Sequence, residues 1–223
     1  MSPKTPSVTR RRLSREERRR QIVEGAVRLF AEHGFDASTH QLAESLGVTQ
    51  PLIYSYFPNK EELIEAVYED VFVKRWNPEW EAVLSDRTLA LQTRLETFYH
   101  RYADVIHSTD WIRLYLHAGL RSLAINRQYT PIVEKRVIER ICIELRHACE
   151  LPDPRSHPIT GQEREAVWTL HGGIFYYGVR KYVYQLSVAA DYDDVVRNAV
   201  TGLLSSMPAL VSHLVDPCNG DPS

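Results

Sequence analysis

Cysteine is scarce in this chain, with only Cys142, Cys149 and Cys218 among 223 residues. An odd number without CxxC spacing argues against a disulfide framework and favours a reducing compartment, so we expect a cytoplasmic protein. Cys142 and Cys149 are close enough along the chain to share a helix face. We expect both to be buried as small apolar side chains.

Long apolar runs and strand patterns are also missing. No stretch of about 18 apolar residues occurs, so we expect no membrane span, and the N-terminus has no apolar core like that of a secretory signal. No segment shows short β-branched alternation bounded by turns, so we expect an all-α fold. Neither a glycine-rich phosphate loop nor a GxSxG element is present, and we expect no enzyme.

The charge of the chain is small in total but unevenly placed. The formal net charge is −2, yet residues 1–20 hold eight Lys or Arg against two Glu, which leaves −8 for the rest. Residues 1–14 are rich in Pro, Ser, Thr and Arg, and we expect a disordered basic arm there. Such an arm suits contact with DNA phosphates or the minor groove.

The segment STHQLAESLGVTQPLIYSYFPNK, residues 38–60, predicts two short helices joined by a tight turn. Ser38 or Thr39 is placed to cap the first helix. Gly47 can adopt the left-handed conformation that ends it. The buried face of the first helix is formed by Leu42, Ala43 and Leu46 at helical spacing.

The second helix of this pair begins at Thr49 or Gln50, and Pro51 suits its first turn, where no backbone N–H is needed. Ile53 and Phe57 are four apart and should face the core. This turns the polar side chains outward, free to enter a DNA major groove. A Gln can hydrogen-bond adenine bidentately, and an apolar group can contact a thymine methyl. Ser, Tyr and Lys side chains nearby suit phosphate oxygens.

A further helix should follow directly. Asn59 is placed to cap a helix that begins at Lys60. Its apolar positions continue to about Arg75, where Asn77-Pro78 breaks it. This helix joins the first three to the rest of the chain, so any signal between the two parts should pass through it.

Four segments together resemble a known family: AVRLFAEHGF, STHQLAESLGV, TQPLIYSYF and NKEELIEAV. Between about Gln21 and Val71 the sequence resembles the DNA-binding domain of the TetR family of transcriptional regulators. The resemblance implies an N-terminal three-helix domain with a helix-turn-helix and a C-terminal helical bundle for effector binding and dimerisation. It also implies repression of a palindromic double-stranded DNA operator, relieved by a small-molecule effector.

The resemblance also implies where the DNA contacts lie. Ser38 stands where Thr is usual, Gln50 where many members carry Lys, and Ser55 where an aromatic residue or His is common. These departures leave the operator sequence unpredicted. The expected DNA-contacting residues are Ser38, Thr39, His40, Thr49, Gln50, Pro51, Tyr54, Ser55, Tyr56 and Lys60.

The remaining chain reads as helix, apart from a loop at Leu151–Pro158 that contains three prolines. The expected helices span about 15–33, 87–107, 110–125, 130–150, 160–187 and 192–214, besides those already described. The expected domains are a basic arm at 1–14, a helix-turn-helix domain at 15–59, a helical effector-binding and dimerisation domain at 60–215, and a flexible tail at 216–223.

The last two helices are the expected homodimer interface. The segment Trp168–Tyr184 holds six aromatic residues, too many for one core, and three glycines that permit close helix approach. The resemblance implies a four-helix interface made from two such helices of each subunit. An ordinary intramolecular core would show the same pattern. The final helix contributes an apolar stripe of Val195, Ala199, Leu203 and Met207.

An effector pocket is expected inside the C-terminal bundle, as the resemblance implies. Inward-facing Trp, Tyr and His side chains could line a cavity for a flat or amphiphilic ligand, although an aromatic stripe is also what a plain core shows. The effector itself is not predicted. The candidate residues are Tyr99, Tyr102, Trp111, Tyr115, His117, Trp168, His171 and Phe175.

The alternative interpretation is a helical metal-binding protein or enzyme. Helical di-metal proteins use Glu-x-x-His pairs, and Glu144 and His147 have this spacing. With His117 and His171, these side chains could converge on a metal ion. One such pair is common on solvated helix faces, so we expect neither a metal nor a cofactor. The preferred interpretation is a homodimeric, ligand-responsive repressor.

Overall fold

The computed structural model describes residues 13–121 and 124–210, and within these ranges every regular element is a helix, which confirms the all-α prediction. No helix in these ranges is both long and apolar enough to cross a lipid bilayer. The helices are Arg15–His33 (α1), Thr39–Leu46 (α2), Gln50–Tyr54 (α3), Lys60–Tyr68 (α4), Glu79–Ser85 (α5), Leu91–Ile106 (α6), Thr109–Leu120 (α7), Ala124–Val133 (α8), Glu139–Ala148 (α9), Gly161–Gly178 (α10) and Tyr192–Leu210 (α11). Helices α4, α8 and α10 continue into π-helical turns at Glu69–Val73, Glu134–Ile138 and Val179–Val183.

Side-chain caps set where the N-terminal helices begin. Ser14 Oγ accepts the Glu17 N–H at 3.1 Å, and the Glu17 carboxylate accepts the Ser14 N–H at 2.7 Å, so α1 begins at a capping box. Ser38 forms the same arrangement with Gln41 ahead of α2. Of the two predicted candidates, Ser38 and Thr39, the cap is therefore Ser38. Asn59 Oδ1 accepts a backbone N–H of α4 at 2.8 Å, as predicted. Of the predicted basic arm at 1–14, residues 1–12 lie outside the described residues, and Ser14 belongs to the cap of α1. The predicted end of the last helix at 214 and the predicted tail with Cys218 also lie outside the described residues.

Helices α1, α2 and α3 pack against one another, and α4 closes the unit. Its core excludes water almost completely, because the apolar residues recur at helical spacing on the facing sides. The core residues, each at most 2% exposed, include Ile22, Ala26, Phe30, Leu42, Ile53, Phe57 and Leu63.

This N-terminal unit rests on the C-terminal bundle along α7. Gly34 ends α1 with φ of 74°, and a Cβ placed there would lie 3.2 Å from Nδ1 of His117. In the short link to α2, Asp36 forms an ion pair with Arg121 at the end of α7. Glycine suits position 34 because it adopts a positive φ without strain, and a larger residue there would also press on the His117 ring.

Helices α5, α6 and α8 differ from the prediction. Helix α5 is absent from the prediction, since only Trp80 and Leu84 mark its buried face. Asp86 Oδ1 accepts the N–H and the hydroxyl of Thr88, a turn that delays α6 to Leu91 rather than residue 87. The helix predicted at 130–150 begins earlier, since α8 starts at residue 124.

The predicted loop at 151–158 is present, and a single guanidinium organises it. Arg146 is 1% exposed and donates to both carboxylate oxygens of Glu163, at 2.6 and 2.7 Å. It also donates to three loop carbonyls, those of Pro152, His157 and Pro158. The loop's backbone oxygens are thus satisfied by a buried charge that is itself paired.

The two described cysteines differ in burial. Cys142 is 2% exposed, and its burial raises the pKa of the thiol to about 12. Cys149, which we expected to be buried as well, is exposed because it lies just beyond the last residue of α9.

Candidate nucleic-acid interface and cavity

The turn between α2 and α3 separates a buried side of α3 from an exposed one. Gly47 adopts φ of 62° and ψ of 38°, the predicted left-handed conformation. Helix α3 begins at Gln50, with Thr49 as its N-cap residue, although the Thr49 side chain makes no capping bond. Ile53 and Phe57 are at most 2% exposed, as predicted. The opposite side of α3 faces away from the protein.

The residues expected to contact DNA gather on one surface, formed by the starts of α2 and α4 and by α3. Gln50, Tyr56 and Lys60 are half-buried, and Thr39 is buried. Some hydroxyls are already engaged: Ser38 caps α2, and Ser55 Oγ donates to a backbone carbonyl at 2.6 Å. The individual DNA contacts remain predictions. The exposed members are Ser38, His40, Thr49, Pro51, Tyr54 and Ser55.

Thr39 links α2 to the recognition face of α3. Gln50 Nε2 donates to Thr39 Oγ1 at 2.7 Å, and the hydroxyls of Thr39 and Tyr54 are hydrogen-bonded at 3.0 Å. Thr39 is only 6% exposed. Its hydroxyl therefore holds two outward-facing side chains of α3 and has little surface of its own to offer a ligand.

Two arginines at the start of α1 extend this surface. The guanidinium carbon of Arg15 lies 5.9 Å from the Tyr56 ring centroid, and that of Arg19 lies 4.9 Å from the Phe57 ring centroid. These contacts place positive charge beside the end of α3. Both residues belong to the basic stretch of residues 1–20 and were not predicted individually; their spacing of four at a helix start was the available signal.

In the C-terminal bundle, a cavity of about 100 Å³ lies between α6, α7, α8 and α10. Six of the eight candidate pocket residues line it. They are Tyr102, Trp111, Tyr115, Trp168, His171 and Phe175. The rest of the cavity wall consists of residues that were not among the predicted pocket residues. They are Ile106, Tyr129, Thr130, Val133 and Gly172.

The other two candidates lie elsewhere. Tyr99 is fully buried behind the cavity wall, its ring centroid 6.0 Å from that of His171. His117 lies outside the cavity, at the junction with α1. Trp111 and Tyr115 are four apart and share one face of α7, whereas two further residues turn His117 to another face. Spacing alone could have excluded it.

The cavity is aromatic and uncharged. The hydroxyls of Tyr102 and Tyr129 are hydrogen-bonded to each other at 3.0 Å, and burial raises the pKa of both. Burial also lowers the pKa of His171 to about 4, so its ring is neutral near pH 7. Trp168 Nε1 donates to the carboxylate of Glu134 at 2.7 Å, outside the cavity wall.

The residues of the metal alternative do not converge. The Glu144 carboxylate accepts from Arg87 and from Arg94, at 2.7–3.1 Å, and these arginines lower its pKa against the opposing effect of burial. His147 is exposed on the next turn of α9. In the part of the chain that the structure describes, no group of three or more His, Cys, Asp or Glu side chains could hold a metal ion.

Comparison with known proteins agrees with this geometry. Residues 22–67 match the family model described as bacterial regulatory proteins, tetR family. The repressor KstR2 of Mycolicibacterium smegmatis is 28% identical over 118 residues, which are 49% of this chain and 54% of that protein. The repressor AcnR of Corynebacterium diphtheriae is 43% identical over 51 residues, which are 22% of this chain and 27% of that protein. The chain thus spans about half, or less, of the curated relatives it matches.

Solved structures resemble nearly the whole chain. A TetR-like transcriptional regulator from Rhodococcus sp. RHA1 superposes with a TM-score of 0.65 at 20% identity, covering 89% of this chain and 99% of that one. A tetR-family regulator from Streptomyces coelicolor has a TM-score of 0.59 at 17% identity, covering 90% and 85%. At such identities the likeness concerns the fold.

Proposed function

We propose that this chain, which belongs to the tetR family of bacterial regulatory proteins, is a sequence-specific DNA-binding transcription regulator of the cytoplasm. In this proposal it represses transcription until a small molecule releases it from a palindromic operator. The observation that carries the proposal is the exposed face of α3, held outward by Gly47 and by the buried Ile53 and Phe57. A helix presented in this way suits the DNA major groove.

The exposed groups divide into base readers and phosphate contacts. Gln50 and Pro51 suit base edges, because an amide matches adenine and an apolar group matches the thymine methyl. The Tyr56 hydroxyl and Lys60, at the start of α4, suit phosphates. Arg15 and the basic arm add sequence-independent attraction to the DNA backbone.

A homodimer through α10 and α11 would place two copies of α3 on two half-sites. Tyr176 is 52% exposed, and a Cβ at Gly172 or Gly173 would meet nothing within 4 Å, which leaves a bare face on α10. The predicted stripe on α11 needs correction, since Leu203 and Met207 are buried within the chain. The face of α11 that remains for a partner is made of small side chains. They are Asn198, Thr201, Gly202, Ser205 and Ser206.

Three glycines in the second half of α10, Gly172, Gly173 and Gly178, have two different roles. A Cβ at Gly178 would lie 2.6 Å from Cδ2 of His107, so this glycine permits a close approach within the chain. A Cβ at Gly172 or Gly173 would meet nothing within 4 Å, but Gly172 also lines the cavity. We therefore assign the dimer contact to Gly173.

A ligand in the cavity would act on the DNA-binding unit by shifting the population of two arrangements. Phe72, in the π-helical turn that follows α4, lies 5.0 Å from the Trp111 ring centroid and 5.3 Å from that of Tyr129. Helix α7 carries Trp111 in the cavity wall and ends at the junction with α1. Both α4 and α7 therefore connect the cavity to the DNA-binding unit.

Fluorescence anisotropy of the full chain tests the proposal. DNA from the region upstream of its own gene is compared with random DNA at two salt concentrations. We expect binding at least about a thousandfold tighter to one short palindrome, and a steep salt dependence on both DNAs. Absence of binding to either DNA at low salt would contradict the proposal.

A further inference from the structure

We propose that the cavity between α6, α7, α8 and α10 binds an uncharged, single-ring aromatic compound that carries a hydroxyl, such as a phenol. Calling this compound the effector rests on the proposed function; the binding itself needs no DNA.

The size of the cavity limits the ligand to one ring. Its volume is about 100 Å³. This is smaller than an apolar cavity of about 150 Å³ in another protein that accommodates benzene, and far below the roughly 300 Å³ at which pockets for drug-sized ligands start. Even a single ring therefore fits only if the walls yield slightly. A fused or multi-ring ligand would have to push the walls apart.

The walls are shaped for a flat apolar body. Trp111 and Tyr115 are stacked, with ring centroids 5.2 Å apart and an interplanar angle of 17°. Phe175 stands edge-on to both, at 70° and 76°. An aromatic ligand can continue this alternation of stacked and edge-on contacts.

Two buried polar atoms in the cavity wall are the reason for proposing a hydroxyl on the ligand. Among the described residues, Trp111 Nε1 and His171 Nδ1 have no hydrogen-bond partner, and these side chains are only 3% and 8% exposed. Leaving such groups unpaired is costly. An indole N–H can only donate, whereas a neutral imidazole nitrogen without a proton accepts. A ligand hydroxyl can accept from the indole N–H or donate to such an imidazole nitrogen.

The described residues around the cavity offer a charged ligand no partner of opposite charge. Among the residues that the structure describes, no Asp, Glu, Lys or Arg lines the cavity. An anion buried there would have no cationic partner. A cation would contact aromatic ring faces, which attract it, but would find no carboxylate among the described lining residues to balance its charge. Both arguments favour a neutral ligand.

Calorimetric titration of the DNA-free full chain at pH 7 tests the proposal with four one-ring compounds of similar size: phenol, toluene, benzoate and benzylammonium. We expect phenol to bind at least about tenfold more tightly than either ion. Trp111→Phe keeps most of the ring and removes the N–H. It should weaken phenol about three- to tenfold, as for one lost hydrogen bond, and leave toluene unchanged.

Control variants separate binding from folding. Trp76→Phe removes an indole N–H that donates to Glu81 outside the cavity, so phenol binding should not change. If Trp111→Phe does not fold, His171→Phe replaces it, with the same selective loss of phenol expected. Val133→Phe fills the cavity and should abolish binding of both phenol and toluene, with circular dichroism confirming the fold.

Three results would overturn the proposal. Tighter binding of either ion excludes a neutral ligand, and an equal loss of phenol and toluene in Trp111→Phe excludes the hydrogen bond. If none of the four compounds binds, the cavity is not a site for single-ring ligands. Phenol binding that leaves operator affinity unchanged would overturn only the effector assignment, while the DNA-binding proposal is judged by anisotropy without ligand.

Discussion

Replacing Thr39 by Val tests whether a residue that is itself buried controls base reading. The substitution keeps the shape of the side chain and removes the hydroxyl that accepts from Gln50 Nε2 at 2.7 Å and pairs with the Tyr54 hydroxyl at 3.0 Å. Without it, the Gln50 amide can rotate freely before DNA binds. Thr39 would then act through Gln50 as a positioning residue.

The expected cost follows from the entropy of ordering one side chain. Immobilising a flexible side chain at an interface costs about 0.5–1.5 kcal/mol, so Thr39→Val should weaken operator binding about 2- to 12-fold. Removing the reader itself, in Gln50→Ala, should cost about 1–3 kcal/mol at one base position. Neither variant should change the affinity for random DNA.

Anisotropy titrations on the operator, on the operator with that base pair changed, and on random DNA measure these effects. Thr39→Ser keeps the hydroxyl and serves as the matched control, with affinity close to that of the parent chain. A melting experiment checks that Thr39→Val remains folded, since one lost hydrogen bond costs about 1 kcal/mol. Tighter operator binding by Thr39→Val would refute the reasoning, because it would mean that Thr39 competes with the base for Gln50.

Three further predictions concern charge. Lys60→Ala should weaken binding to all DNA sequences alike and reduce the slope of log affinity against log salt by about 1, measured by anisotropy. Arg146→Met should lower the free energy of unfolding by about 3–5 kcal/mol in urea titrations, because Glu163 is left buried and unpaired, and Arg146→Met with Glu163→Leu should recover part of the loss. The pKa of His171 is about 6.5 in the unfolded chain and is lowered to about 4 by burial in the folded one. The free energy of unfolding therefore carries the full contribution of the neutral ring above pH 6.5 and loses it as the pH falls towards 4. Between pH 7 and pH 5 the parent chain should therefore lose up to about 2 kcal/mol more of its free energy of unfolding than His171→Phe does, as measured in urea titrations.

The N-terminal helices were predictable because their signals are local. Ser38, Gly47 and Asn59 act on the backbone within a few residues, so their roles as two caps and a helix end could be assigned without knowing the tertiary structure. The shared face of Ile53 and Phe57 follows from spacing in the same way.

The C-terminal bundle was less predictable because its contacts join distant parts of the chain. An apolar stripe such as Leu203 and Met207 looks the same whether it packs within one chain or between two. Tyr129 was missed because only its packing against α6 and α7 identifies it as part of the cavity wall. The bond between Gln50 and Thr39 spans the turn, and no pattern in the sequence records it.

The length of α7 determines how far its end would move if the helix tilted. Its 12 residues make a rigid rod about 18 Å long. It touches the cavity near one end, through Trp111, and the DNA-binding unit at the other, through Arg121. A tilt of about 10° about the cavity end would carry the far end about 3 Å. In a two-fold dimer the displacements add to about 6 Å, a sixth of the roughly 34 Å between successive major grooves on one face of DNA. If the proposed ligand tilts α7 by this amount, it changes the spacing of the two recognition helices enough to affect the fit to two half-sites.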